Sequence, residues 1–155
     1  MDISEILEPG RVLGNVEARS KKRALEILSE LLGHAGEECV ANDIFENLVQ
    51  REKLGCTALG RGVAVPHGRS PGLSGPAAAF VKLHEPVDFD AADGERVDLI
   101  FGLLVPEEAT ENQSAALADV TRLMADATLR GSLREATSSS TLYQLLADAA
   151  DRLTT

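Results

Sequence analysis

Apolar residues recur at helical spacing in two segments of the first third of the chain. Ser20 is a good helix N-cap and Gly33 a good helix terminator, so a helix is predicted through KKRALEILSELLG. A second helix is predicted from about Ala41 to Lys53. The residues that form one apolar face are Ala24, Leu25, Leu28, Leu31 and Leu32 in the first helix and Ile44, Phe45, Leu48 and Val49 in the second.

Three apolar segments in the middle of the chain predict strands. The segment Ala77–Leu83 follows a turn rich in Pro, Gly and Ser. Val97–Val105 is a nearly continuous apolar run that ends at Pro106, which is typical of a central strand buried on both faces. The third strand, Val63–Val65, is shorter and ends at Pro66.

The rest of the chain is predicted to be helical. Residues 110–113, TENQ, fit a capping box that opens one helix, and a last helix begins at about Thr141. The pattern therefore predicts an α/β (α+β) fold, with a small mixed sheet flanked by helices in a single domain over residues 1–155. The inward residues are Ala116, Leu117, Val120, Leu123 and Met124 in the first of these helices and Leu142, Leu145, Leu146 and Ala149 in the last.

Composition narrows the classes of function. The 155 residues carry a formal net charge of -10, and aromatic residues make up 3%, which argues against binding to nucleic acid. The N-terminus lacks the pattern of a signal peptide, and no apolar run reaches the roughly 20 residues that span a membrane. Two cysteines, Cys39 and Cys56, form no CxxC pair. We expect a soluble cytoplasmic protein with two free thiols and no membrane insertion.

The stretch GRGVAVPHGR, residues 60–69, places a single histidine directly after a short strand. Pro66 has a fixed φ and favours extended structure before it, so His67 is presented at a defined point. Gly60, Gly62 and Gly68 leave backbone without side chains nearby, which suits close approach by another molecule. The alternative is a histidine in a turn with no chemical role.

Charge favours a chemical role for His67. Residues 51–69 contain the four basic residues Arg51, Lys53, Arg61 and Arg69 and the single acid Glu52, in a chain that is acidic as a whole. A neutral imidazole is a nucleophile near neutral pH, and neighbouring arginines stabilise an anion brought to it. Phosphate is the anion that this combination suggests.

Other kinds of site are less well supported. His34, His67 and His84 lack the spacing of metal ligands. Cys56 is close to His67 in sequence, but no orienting Asn or Asp is evident, and a half-buried thiol is the simpler interpretation. The acidic stretch at residues 88–94 lacks the closing glutamate of a calcium loop and is interpreted as a turn.

The run from Glu52 through KLGCTALGRGVAVPHG resembles the active-site signature of the fructose/mannitol/nitrogen-regulatory IIA family of the phosphoenolpyruvate phosphotransferase system. The preceding Arg51 and Glu52 are similar to the Arg-Glu pair that closes the second helix in that family. The segment at residues 85–106, EPVDFDAADGERVDLIFGLLVP, is similar to the family's acidic turn and central strand. The resemblance covers nearly the whole chain and implies a mixed sheet covered by helices.

The resemblance also implies a function. His67 would accept a phosphoryl group from the histidine phosphocarrier HPr or its nitrogen-branch counterpart and later donate it. Arg51 would lie near the phosphate, with Gly68 and Arg69 as supporting residues. No cofactor and no metal are implied, because transfer between two imidazoles needs positioning and charge stabilisation above all.

One position departs from the family pattern. Many members carry a second histidine at the start of the helix after the proline-terminated strand, where this chain has Gln113. Gln113 either completes the capping box or donates an amide hydrogen bond to the phosphoryl oxygens. The absence of that histidine and of a fused IIB or IIC module favours a nitrogen-regulatory phosphocarrier that signals to target proteins. The alternatives are a sugar-specific IIA that serves a IIB partner and a binding module that is not phosphorylated.

Overall fold

In the described part of the chain, six strands form one mixed sheet, and helices cover both of its faces. The structure, a computed structural model, describes residues 3–36, 39–71, 73–107 and 111–153, apart from the side chains of residues 111–114. Within these residues the helices are α1 (Ile3–Ile6), α2 (Lys21–Leu32), α3 (Ala41–Leu54), α4 (Glu111–Met124), α5 (Ala127–Glu135) and α6 (Ser139–Leu153). The strands are β1 (Leu7–Val16), β2 (Ala58–Gly60), β3 (Val63–Ala64), β4 (His67–Ser70), β5 (Ala77–Val87) and β6 (Val97–Pro106).

The strand β6 is the centre of the sheet, whose order is β1-β5-β6-β3-β2. It pairs antiparallel with β5 on one side. On its other side it pairs parallel with β3 and, further along, with β4. β1 is parallel to β5, and β2 is antiparallel to β3. The predicted mixed sheet with a buried central strand is confirmed.

Alternate residues of β6 contribute to two separate cores. Leu99, Phe101 and Leu103 pack on the side of α1, α4, α5 and α6. Ile100 and Leu104 pack on the side of α2 and α3. This alternation follows from the two-residue repeat of a strand, and it explains why the sequence of β6 is continuously apolar.

The helices predicted from apolar spacing are confirmed. Ser20 caps α2, since its side chain accepts a hydrogen bond from the backbone N–H of Arg23 at 3.1 Å. The capping box predicted at residues 110–113 lies outside the described residues and side chains, although the helix itself runs from Glu111. No helix in the described part of the chain is long and apolar enough to cross a membrane.

Several elements differ from the prediction. β1, β2 and β4 were not predicted, no element was predicted for the N-terminal segment that forms α1 and β1, and α5 was not distinguished as a separate helix in the part predicted to be helical. β1 contains Pro9 and Gly10, which are disfavoured in strands, but it is an edge strand, where proline is tolerated. α5 is opened by Asp126, whose carboxylate accepts from the backbone N–H groups of Thr128 and Leu129.

Gly102 in β6 is required by the close approach of α2. A Cβ at this position would lie 2.7 Å from the Cδ atoms of Leu28, a residue that is fully buried. We expect Gly102→Ala to lower the free energy of unfolding by about 1–3 kcal/mol, because the core has no space for the added methyl group. Urea denaturation measures this change.

Gly131→Ala is the matched control. Gly131 lies in α5 with nothing within 4 Å of an added Cβ, so alanine should raise the free energy of unfolding by about 0.5–1 kcal/mol through its higher helix propensity. A destabilisation of similar size in both variants would contradict the packing argument.

Candidate active site

His67 lies where a strand against β6 is interrupted. β3 pairs with Leu99 and Ile100, and β4 pairs with residues 103–106 of the same strand. Pro66, between them, has no N–H, but its carbonyl oxygen accepts a hydrogen bond from the N–H of Leu103 at 3.0 Å. The sheet therefore fixes the backbone on both sides of the histidine. The sequence predicted the strand before it but not the pairing of β4.

Two contacts orient the imidazole ring. Nδ1 of His67 lies 2.9 Å from the carbonyl oxygen of Val65. A carbonyl oxygen can only accept, so Nδ1 carries the proton and Nε2 carries the lone pair. The Nε–H of Arg51 donates to that Nε2 at 3.2 Å. The ring nitrogen that carries the lone pair thus faces the arginine.

The pKa of His67 is lowered below its usual 6.5. The largest cause is the partial burial of the ring, which disfavours the charged form. The Val65 carbonyl opposes this shift, the guanidinium of Arg51 adds to it, and the carboxylate of Glu52 opposes it. At neutral pH the ring is therefore uncharged, with Nε2 able to act as a nucleophile.

Arg51 projects from the last turn of α3. Its Nη1–H donates to the carbonyl oxygen of Gly55 at 2.8 Å, a group just past the end of the helix. This bond and the contact with His67 hold the guanidinium beside the ring. The structure therefore brings together the two residues that the sequence placed at the centre of the site.

Glu52, the next residue of α3, faces a different set of partners. Its side chain is only 6% exposed and forms a 2.7 Å ion pair with Nζ of Lys21 from α2. It also accepts from the backbone N–H of Thr57 at 3.3 Å and from the Thr57 hydroxyl. The glutamate of the signature is therefore a structural link between α2, α3 and the segment that leads to β2. Sequence reasoning missed Lys21 because its partner is 31 positions away.

Gly68 has a packing role that the sequence analysis did not predict. A Cβ at this position would lie 2.4 Å from Oδ1 of Asn47 in α3. The same oxygen accepts from the backbone N–H of Arg69 at 3.0 Å, so Asn47 ties α3 to β4. The direction that a Cβ at Gly68 would take is occupied by Asn47, a residue that carried no signal in the sequence, whereas the Gly68 backbone lines the cleft around His67.

Gly60 and Gly62 also act within the protein. They flank Arg61 in the tight turn between β2 and β3, where all three residues have positive φ. A Cβ at Gly62 would lie 2.4 Å from Nη2 of Arg134, which forms a 2.9 Å ion pair with Asp98. These glycines allow the turn to form and α5 to approach it.

An open cleft surrounds His67, with a volume of about 640 Å³. Of the four basic residues in the segment 51–69, Arg51 and Arg69 line this cleft, whereas Lys53 and Arg61 do not. The guanidinium of Arg69 is turned toward the carbonyl oxygen of Glu107, at 3.3 Å. The other residues that line the cleft are Asp43, Glu46, Asn47, Gln50, Leu54 and Gly68.

The remaining candidates have other roles. Cys56 is exposed rather than half-buried, and its thiol donates to the carbonyl oxygen of Phe89 at 2.9 Å. Asp93 accepts from the N–H groups of Arg61 and Glu95, and these bonds lower the pKa of its carboxyl group. It therefore stabilises a turn, as expected. The side chain of Gln113 lies outside the described part of the structure.

The fold is that of the phosphotransfer class of protein that the sequence resembles. A family model described as "Phosphoenolpyruvate-dependent sugar phosphotransferase system, EIIA 2" matches residues 5–149. The chain belongs to this family.

The similar proteins are bacterial. A nitrogen regulatory protein of Pseudomonas aeruginosa is 47% identical over 146 residues, covering 94% of this chain and 95% of that protein. The crystal structure of nitrogen regulatory protein IIA-Ntr from Neisseria meningitidis superposes with a TM-score of 0.85 at 41% identity, covering 93% of this chain and 98% of that one. Mannitol IIA from Escherichia coli shares the fold, with a TM-score of 0.73 at 23% identity over 90% of this chain and 98% of that one.

The electrostatic contact between Arg51 and His67 is testable by titration. We expect Arg51→Gln to raise the pKa of His67 toward its ordinary value, because a nearby positive charge disfavours the imidazolium ion. An NMR titration of the His67 ring protons measures the pKa. The control is Arg69→Gln, since the Arg69 guanidinium faces Glu107 instead. An equal rise in both variants, or none in Arg51→Gln, would contradict the assigned contact.

Proposed function

We propose that this protein is a phosphocarrier in which Nε2 of His67 accepts a phosphoryl group from an HPr-like donor and then passes it on. The observation that carries the proposal is the geometry of His67. Nδ1 is bound to the Val65 carbonyl, and Nε2 lies beside Arg51 in an open cleft. Burial of the ring lowers the pKa of His67, which favours the neutral form. We place the protein in the cytoplasm and treat residues 1–155 as one functional domain.

The proposed transfer needs no proton from solvent. The Nε2 lone pair of His67 forms a bond to phosphorus while the phosphorus–nitrogen bond of the donor breaks, and that electron pair returns to the donor imidazole. Nδ1 keeps its proton, so the His67 ring becomes positively charged. The Val65 carbonyl at 2.9 Å stabilises that charge through the same hydrogen bond.

Arg51 has two successive roles in this scheme. Before transfer its Nε–H donates to the Nε2 lone pair, so the guanidinium must move aside for Nε2 to attack. The displaced guanidinium then binds the phosphoryl oxygens, for which its planar set of donors is suited. This exchange keeps a positive charge beside the nucleophile in both states and stabilises the transition state between them.

The similar proteins favour a nitrogen-regulatory function over sugar transport. The Pseudomonas and Neisseria proteins are named as nitrogen regulatory proteins and match almost the full chain. In this proposal the phosphorylation state of His67 controls contacts with regulatory target proteins. A sugar-specific IIA that passes phosphate to a IIB partner is the alternative.

The first test is transfer to the acceptor residue. We expect one acid-labile phosphoryl group on the wild-type protein after incubation with phosphoenolpyruvate, enzyme I and an HPr-type donor, and none on His67→Ala. Intact-protein mass spectrometry measures the added mass. His84→Ala is the matched control, since His84 is an exposed histidine of β5 outside the His67 cleft, and it should be phosphorylated normally.

Phosphate retained on His67→Ala would place the acceptor elsewhere. A wild-type protein that stays unmodified with several competent donors would favour the binding-module alternative. In the same assay Arg51→Gln should slow acceptance by roughly 100-fold, the usual cost of losing one charge-stabilising donor.

The substitution Gln113→His tests the choice between the two branches. If the missing second histidine limits onward transfer, restoring it should speed transfer of phosphate from His67 to a IIB protein of the mannitol type. Rapid-quench measurement of phospho-protein decay gives this rate. A change in thermal stability with no change in rate would assign Gln113 to helix capping alone and would contradict its role in transfer.

A further inference from the structure

A second concave surface lies between α2 and α3. It has a volume of about 450 Å³, and we call it the α2–α3 groove. The last turns of α3 contribute to both surfaces, since Arg51 and Leu54 line the His67 cleft while Val49, Glu52 and Lys53 line the groove. The other residues that line the groove are Lys21, Lys22, Leu25 and Phe45.

The floor of the α2–α3 groove is apolar. Leu25 of α2 is buried, and Phe45 and Val49 are half-buried residues that pack against the core beneath the helices. Phe45 and Val49 are four residues apart on α3 and therefore share one face. An apolar channel between two helices is the kind of surface that receives the apolar face of a third helix.

The rim of the groove is basic in a chain of net charge -10. Lys21 is neutralised by its ion pair with Glu52 and lies over the ring of Phe89 at 4.9 Å. Lys22 and Lys53 are exposed, and neither has a carboxylate partner within the described residues. Two positive charges therefore stand uncompensated above an apolar floor, which is complementary to a ligand that is both acidic and apolar.

We propose that the α2–α3 groove is a docking site for an acidic amphipathic helix of a partner protein. The inference goes beyond phosphoryl transfer and does not depend on the role of His67. A membrane surface fits less well, because anionic lipid is recognised by clusters of about 4–8 basic residues rather than by two lysines beside a concavity. Nucleic acid fits less well because the overall charge repels it.

The test uses a synthetic peptide and the intact protein. The probe is a 16-residue helical peptide with Leu at positions i, i+4, i+7 and i+11 and Glu at the flanking positions; its partner probe has Lys in place of each Glu. Titration into ¹⁵N-labelled protein should shift the amide signals of Leu25, Phe45 and Val49 with the acidic peptide and leave them unchanged with the basic one. The affinity should fall as salt is added.

Reversing the charge of the two rim lysines tests whether the acidic peptide binds in the α2–α3 groove. We expect Lys22→Glu/Lys53→Glu to weaken binding of the acidic peptide by roughly tenfold or more, since attraction at the rim becomes repulsion. The control is Arg96→Glu/Arg122→Glu, which changes the net charge equally at exposed positions outside the groove. The control should bind within about twofold of wild type.

Three outcomes would overturn the proposal. The first is the absence of any shift of groove amides at millimolar acidic peptide. The second is an equal loss of binding in the two double variants, which would mean that net charge alone is responsible. The third is binding to vesicles containing phosphatidylserine without binding to the peptide, which would assign the lysines to a membrane surface instead.

Discussion

The pairing of β3 and β4 with one side of β6 is the constraint on which the site depends. The register against β6 is the same on both sides of the gap, since Ala64 pairs with Ile100 and His67 with Leu103. The ladder is interrupted between them because Pro66 has no N–H to donate. Pro66 keeps one bond to β6 through its carbonyl, and the carbonyl of Val65 is left to accept from the imidazole. That bond fixes which ring nitrogen of His67 carries the lone pair, so the sheet determines the tautomer as well as the position.

The helix α3 connects the site to the rest of the protein. Its buried residues Ile44 and Leu48 pack in the core shared with α2. On its outer side Asn47 holds β4, and in the last turn Arg51 reaches the histidine. Packing of α3 on the sheet therefore sets the distance between His67 and Arg51. A glycine at position 68 is required because that packing brings Asn47 so close.

Sequence patterns predicted the elements whose burial is regular and the two residues at the centre of the site. These patterns did not predict β1, because Pro9 disfavours a strand and the buried Arg11 breaks the apolar alternation. Only the structure shows that the Arg11 guanidinium donates to the backbone carbonyls of Ile6 and Ala78. They also assigned the glycines of the signature to ligand approach. The side chains nearest to them come from residues distant in sequence, so no local pattern could reveal them. These neighbours are Asp93 at Gly60, Arg134 and Asp98 at Gly62, and Asn47 at Gly68.

The ion pair between Lys21 and Glu52 explains how Arg51 remains available to an anion. Arg51 and Glu52 are consecutive in the last turns of α3, and an unpaired carboxylate there would compete for the guanidinium. The 2.7 Å contact with Lys21 and the two bonds from Thr57 satisfy that carboxylate inside the protein. In the proposed transfer, a phosphoryl group on His67 would add roughly two negative charges. Arg51 would be available to bind it, since no ion pair of Arg51 occurs within the described residues. The orientation of Glu52 toward Lys21 is therefore as important for the site as the orientation of Arg51 toward His67.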